Sequence, residues 1–317
     1  MTEREKSLVP DTTVSIAGMQ LKNPVLVASG TFGYGIEFAQ VLDLQRLGGI
    51  VLKTITLEPR AGNPPPRIAE TPSGMLNSIG LQNVGVDALL KERLPLLAQY
   101  DSPIIANIHG ETAEEFVELA GRLSGHPQIS GIEMNLSCPN VSGRGKSVTD
   151  LVAQDAQATS RYTEAVRKVT GLPLVVKLSP AVTSIAEIAV AAENAGADAV
   201  SLINTIPGLV VDVERRQPFL GGVTGGLSGP AIRPIAVRMV WEVARAVSIP
   251  VIGMGGIRYE SDALEFLIAG AAAVAVGSAS FADPRASIDI VDGITKYMER
   301  NGIKTVAELT GSLELPS

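Results

Sequence analysis

Short apolar, β-branched runs bounded by turn residues recur along the chain, at residues 24–28, 49–54, 103–108, 131–136, 173–178, 199–204, 250–254 and 273–277. Most are apolar at consecutive positions instead of alternating, the pattern of parallel strands covered on both faces. Between them, apolar residues recur at helical spacing over 36–47, 86–99, 113–123, 153–170, 185–195, 230–247, 260–269 and 285–301. Start and stop signals mark several of these, such as Thr112 ahead of Ala113-Glu114-Glu115 and Gly196 after Glu193-Asn194-Ala195. Ahead of the first run, Thr13-Val14-Ser15-Ile16-Ala17-Gly18-Met19-Gln20-Leu21 reads as a β-hairpin, a plug for the bottom of a barrel. Eight β-then-α units predict the α/β class and a closed (β/α)8 TIM barrel, one domain over 1–317. An open doubly wound sheet is the alternative. It would call for a Gly-x-Gly-x-x-Gly turn after the first strand, and Ser29-Gly30-Thr31-Phe32-Gly33-Tyr34-Gly35 lacks that spacing.

Composition narrows the function classes. With 317 residues and 45% hydrophobic content, the chain can fill one large core. A formal charge of −7 argues against nucleic acid or an anionic membrane as partner, though a locally positive site could still take an anionic small molecule. The single cysteine excludes an internal disulfide and suits a reducing cytoplasm. Met1-Thr2-Glu3-Arg4-Glu5-Lys6 lacks the apolar stretch of a signal peptide, and the run 268–279 is too short to span a bilayer. The expectation is a soluble cytoplasmic protein.

Polar residues just past the C-terminal ends of barrel strands form the active-site face of such folds. Read in order, these ends are Ser29-Gly30, Lys53-Thr54, Asn107, Asn135 with Cys138, Lys177, Asn204-Thr205, Gly255-Gly256 and Gly277-Ser278. One glycine pair makes a tight turn and nothing more. Two pairs after the seventh and eighth strands point to a phosphate approached by backbone N–H groups. Lys53 and Lys177 end apolar runs, so both ammonium groups should reach the barrel mouth. Alone, Lys177 could equally be a Schiff-base nucleophile. A lone cysteine is commonly a small buried hydrophobe, but Cys138 stands in a loop before proline, where a thiolate could serve as base or nucleophile. His109 and His126 read as structural or solvent-facing, and no cluster has metal-ligand spacing.

Four motifs then resemble those of dihydroorotate dehydrogenases: Asn77-Ser78-Ile79-Gly80-Leu81-Gln82-Asn83, Asn135-Leu136-Ser137-Cys138-Pro139-Asn140, Gly225-Gly226-Leu227-Ser228-Gly229-Pro230-Ala231-Ile232 and Ile252-Gly253-Met254-Gly255-Gly256-Ile257. The resemblance covers the chain from about Val14 to the last helix, in family order. It implies FMN across the barrel mouth, contacted by Ser29, Lys53, Thr54, Asn107, Asn135, Lys177, Ile203, Gly229, Gly255, Gly256, Gly277 and Ser278. It also implies dihydroorotate held by Lys53, by Asn77, Ser78, Ile79, Gly80 and Leu81, and by Asn135, Asn204 and Thr205. In that reading Cys138 removes the C5 proton, under a closing loop, as hydride leaves C6 for the flavin, and Lys177 steadies the reduced ring.

Cysteine instead of serine at position 138 resembles the soluble class. The wording around Asn204-Thr205 and 225–232 resembles its B-type, NAD-linked branch. That branch pairs a homodimer of catalytic chains with a second subunit carrying FAD and a [2Fe–2S] cluster, giving a heterotetramer. The stretch Val141-Ser142-Gly143-Arg144-Gly145-Lys146 departs from that branch's lysine-and-double-glycine wording. A fumarate-linked dihydroorotate dehydrogenase, a dihydropyrimidine dehydrogenase-like reductase and, more distantly, a Schiff-base lyase using Lys177 are the alternatives.

Overall fold

The computed structural model describes residues 9–136 and 152–316. Eight parallel strands form its centre: β1 (Val25–Val27), β2 (Gly49–Val51), β3 (Ile104–Ile108), β4 (Gly131–Asn135), β5 (Leu174–Lys177), β6 (Ala199–Leu202), β7 (Val251–Met254) and β8 (Ala273–Val276). Each pairs with the next in sequence, and β8 returns to β1, so the barrel is closed. Every residue of the eight is buried, which is why their sequences are apolar without alternation. All eight fall inside the expected runs.

Alternate residues point inwards. Leu26, Val51, Ile105, Val175, Ala199, Ile252 and Ala273 pack inside the barrel with Ile16, Met19 and Leu21 of an antiparallel hairpin, Val14–Ile16 with Met19–Leu21. The hairpin therefore plugs the bottom, as its sequence predicts; Met19 Sδ lies 2.9 Å from where a Cβ on Gly131 would stand, so a side chain there would have to displace the methionine. Burying each of these large side chains contributes about 1.5–3 kcal/mol. The outward set, including Val25, Ile50, Ala106, Ile132, Val176 and Val200, meets the surrounding helices.

Those helices are α1 (Ala113–Ser124), α2 (Ala156–Arg167), α3 (Ile185–Asn194), α4 (Arg233–Ala244), α5 (Glu260–Ala269) and α6 (Ala286–Asn301). Thr112, Asp155 and Ser184 cap the first three by accepting from backbone N–H groups of the first turn. Two expected helices differ. Over 36–47 there are only short 3-10 turns, Ile36–Phe38 and Leu44–Arg46, because Asp43 adopts an extended backbone and caps the second turn. The periodicity read there comes from Leu42, Leu44 and Leu47, all buried, Leu42 ahead of the second turn and Leu44 and Leu47 at its two ends. Over 86–99 the helix is broken into Gly85–Ala88, a wide π turn Leu89–Arg93, and Leu94–Leu97. Pro95, at the start of the last piece, has no N–H to continue the ladder.

One element has no counterpart in the sequence reading. The connections after β2 and β6 join in a four-stranded antiparallel sheet, in the order Ile206–Gly208, Gly225–Ser228, Gly74–Asn77, Ile68–Thr71. Among the described residues, no helix is long and apolar enough to cross a membrane.

Candidate active site

Towards the C-terminal ends of the strands the inward-facing residues change from apolar to polar. Above the plugged layers come Asn107 on β3, Glu133 on β4 and Ser201 on β6, all buried. Beyond these, strand ends and the inserted sheet enclose a cleft made of two adjoining cavities. Both are lined by Ser29, Thr31, Asn204, Thr205, Ser228 and Ser278. One also carries Lys53, Thr54, Asn77, Ile79, Gly80, Leu81 and Asn135. The other carries Lys177, Ile203, Gly255, Gly256 and Gly277. Residues from all parts of the chain thus meet in one space, most because they end barrel strands at the same rim, and Asn77, Ile79, Gly80, Leu81 and Ser228 because the inserted sheet brings them over it.

Three residues named from sequence stand off that lining. Ser78 is fully buried; its Oγ accepts from Asn63 Nδ2 at 3.0 Å. Gly229, with φ of 96°, packs its backbone against Gly74, and its carbonyl lies 2.8 Å from a Cβ position on Gly256. Asn107 sits beneath the lining, donating from Nδ2 to Glu133 Oε2. Cys138 and the loop that includes 141–146 lie outside the described residues.

Hydrogen bonds order the polar rim. Ser29 Oγ and Thr54 Oγ1 are 3.3 Å apart, and Asn135 Nδ2 donates to Thr54 Oγ1 at 3.4 Å. Asn204 Nδ2 reaches Asn135 Oδ1 at 3.5 Å, while Asn204 Oδ1 accepts from the Thr205 N–H at 2.8 Å. His109 is buried, its Nδ1 2.9 Å from the Asn135 carbonyl oxygen. It therefore steadies the strand end from behind instead of facing solvent. Burial first, and Arg60 to a lesser degree, hold its pKa below the ordinary histidine value, against the hydrogen bond to Asn135 and the charges of Glu111 and Glu115.

Arg67 braces the loops beside the 77–81 segment: its guanidinium donates to the Asn63 carbonyl, to Gln82 Oε1 at 2.7 Å and to the Ala61 carbonyl at 2.9 Å, and its own carbonyl accepts from the Ser78 N–H at 2.7 Å. Asn77 Nδ2 donates to the Gly226 carbonyl at 3.3 Å, tying this segment to the other half of the inserted sheet. Lys53 faces the same cleft. Its pKa is lowered by burial and then by the nearby Arg67 charge, with Glu37 opposing. A cation so placed gains most from an anion, which would offset both its desolvation and the repulsion from Arg67.

Sequence reasoning passed over Arg67, Glu133 and Ser228. Glu133 had a legible signal, as the only charge inside the apolar run Gly131-Ile132-Glu133-Met134-Asn135-Leu136. Arg67 had none, since its role depends on loops that meet only in the fold.

The donor set suits a phosphate-bearing heterocycle. A Cβ on Gly277 would find nothing nearer than Ala28 Cβ at 3.8 Å, so the glycine leaves open space at the rim. Gly255 and Gly256, with φ of 128° and 81°, turn the chain in a conformation side chains rarely adopt. Asn107 Oδ1 is buried with no hydrogen-bond partner among the described residues, an acceptor that a ligand N–H would satisfy.

The sequence profile described as dihydroorotate dehydrogenase matches residues 12–298. A relative from Geotalea uraniireducens, named the catalytic subunit of dihydroorotate dehydrogenase B (NAD(+)), is 53% identical over 304 residues, covering 96% of this chain and 98% of its own. A relative of the same name from Desulforudis audaxviator is 54% identical over 301 residues, covering 95% and 97%. The fold is also that of an Eimeria tenella dihydroorotate dehydrogenase solved with ferulenol, with a TM-score of 0.78 and 21% identity over 98% of this chain and 91% of the other. A closed barrel with this polar rim, matched over nearly its whole length, places the chain in the dihydroorotate dehydrogenase family.

Proposed function

We propose that this enzyme oxidises (S)-dihydroorotate to orotate in de novo pyrimidine synthesis and passes the electrons to NAD through a partner subunit. The observation carrying this reading is the cleft where Lys53 faces Asn77, Asn135 and Asn204. Dihydroorotate is an anion whose ring is dense in amide donors and acceptors, and a lysine beside three asparagine amides offers the charge and the hydrogen bonds such a ring calls for. Lys53 neutralises the carboxylate, while Asn77, Asn135, Asn204 and Thr205 orient the ring. Cys138, as thiolate, takes the proton from C5.

FMN, when bound, supplies the acceptor for the hydride leaving C6. Ser29, Thr54, Asn107, Asn135, Lys177 and Ile203 would hold its ring system, with Gly229, Gly255, Gly256, Gly277 and Ser278 at its phosphate end. Lys177 carries the positive charge that suits a reduced, anionic ring. The relatives' NAD-linked catalytic-subunit name supports the acceptor. Its words "catalytic subunit" also support a second chain. The family resemblance implies that this second chain would bear FAD and a [2Fe–2S] cluster and dock on a homodimer of the present one to give a heterotetramer.

The test is to purify this chain, record its visible spectrum and add dihydroorotate without oxygen. The expected result is a yellow protein whose flavin band bleaches. A protein that stays yellow excludes dihydroorotate as the electron donor. A colourless protein that cannot be reconstituted with FMN excludes the cofactor.

A further inference from the structure

Glu133 is a buried carboxylate in the middle of a barrel strand, 2% exposed, and the chemistry above makes no use of it. Its two oxygens have separate partners. Asn107 Nδ2 donates to Oε2, and Ser201 Oγ donates to Oε1 at 2.7 Å. The three residues come from β3, β4 and β6 and form a polar layer between the apolar plug and the cleft. Asn107 is the register partner of Glu133, and Asn135, two residues on along β4, already lines the cleft.

A carboxylate accepts hydrogen bonds and does not donate them, so it can face only the NH2 end of the Asn107 amide. This fixes which way the amide points. Oδ1 is turned away from Glu133 and is left buried with no donor among the described residues. A buried acceptor without a partner is costly, and in a binding site it marks where a ligand N–H belongs.

We propose that Glu133 is a positioning residue for the flavin, holding the Asn107 amide so that Oδ1 accepts from the N–H of the flavin's pyrimidine ring. The proposal rests on the reading that this cleft takes FMN. Without the carboxylate, the amide is free to turn its NH2 end upwards, where it would oppose that N–H with another donor. Ser201 acts one step further back, by steadying the carboxylate.

The experiment compares FMN affinity, read by quenching of flavin fluorescence on titrating flavin-free protein. Wild type that does not bind FMN overturns the cofactor reading itself, before any variant is compared. Given binding, Glu133→Gln is expected to weaken FMN about tenfold, the scale of one lost charge-assisted hydrogen bond. Asn107→Ala should weaken it comparably. The double variant should bind no more weakly than Asn107→Ala alone, because Glu133 acts through that amide. Wild-type affinity in Glu133→Gln, or effects that multiply in the double variant, overturns the proposal. If Glu133→Gln does not fold, Ser201→Ala decides it: roughly threefold weaker FMN is expected with one hydrogen bond fewer on the carboxylate, and unchanged affinity refutes the assignment.

Discussion

Lys53 shows how a single residue acquires a role from its surroundings. Burial and Arg67 both disfavour its charged form, so its pKa is lowered, and a bound carboxylate would reverse that. Lys53→Ala is expected to weaken dihydroorotate by roughly ten- to a hundred-fold, the span of one charged hydrogen bond, while FMN binding changes less. In the wild type, dihydroorotate affinity should fall as pH rises through the lowered lysine pKa, earlier than for an exposed lysine. Titration of substrate affinity against pH reads both, and a flat profile shows that Lys53 is not on the carboxylate. Cys138→Ser should keep the flavin but slow its reduction near neutral pH by about 10²–10⁴-fold, the usual contribution of a general base. Stopped-flow reduction at wild-type rate would remove Cys138 from that role.

The inserted antiparallel sheet is the element that turns a generic barrel mouth into a walled cleft. It pairs Gly74–Asn77 with Gly225–Ser228, and so holds the 77–81 segment above the strand ends. The pairing depends on close backbone approach: a Cβ on Gly74 would stand 2.0 Å from the Ser228 carbonyl oxygen. Gly74→Ala must push these strands apart, at a cost of about 1–3 kcal/mol. Because the displaced segment carries Asn77, dihydroorotate affinity should drop and the thermal midpoint fall together. Calorimetry with both quantities unchanged would show that the sheet does not position this wall. The short 3–4-residue strands here sit among glycines and prolines, which is why they read as plain loops in the sequence.

For the whole molecule, His109 couples stability to pH. Burial lowers its pKa, so below the ordinary histidine value the unfolded chain takes up a proton that the folded chain refuses. Stability from this group is complete above that value and is lost as pH falls through the lowered, folded-state pKa. Between pH 7 and pH 5 the thermal midpoint of wild type should therefore fall more than that of His109→Gln, whose amide can still donate to the Asn135 carbonyl. Equal slopes would mean that acid lability arises elsewhere. The barrel makes such coupling possible, because a group behind one strand end bears directly on the residue that lines the cleft.

The sequence by itself determined the barrel and most of the residues that stand at its rim. Consecutive apolar runs mark strands covered on both faces, and the residue that ends each run must emerge at the same rim, so Lys53, Asn135, Lys177, Asn204 and the glycine pairs were legible from spacing alone. Only the tertiary structure decided which polar groups meet. Asn107, Glu133 and Ser201 lie on three strands, far apart in the chain, and their hydrogen bonds exist only once the barrel closes. The same holds for Arg67 against Gln82, and for the sheet that joins residues 68–77 to residues 206–228. Local pattern encodes burial and hence position along an element, whereas side-chain pairing across elements depends on the register that closure imposes.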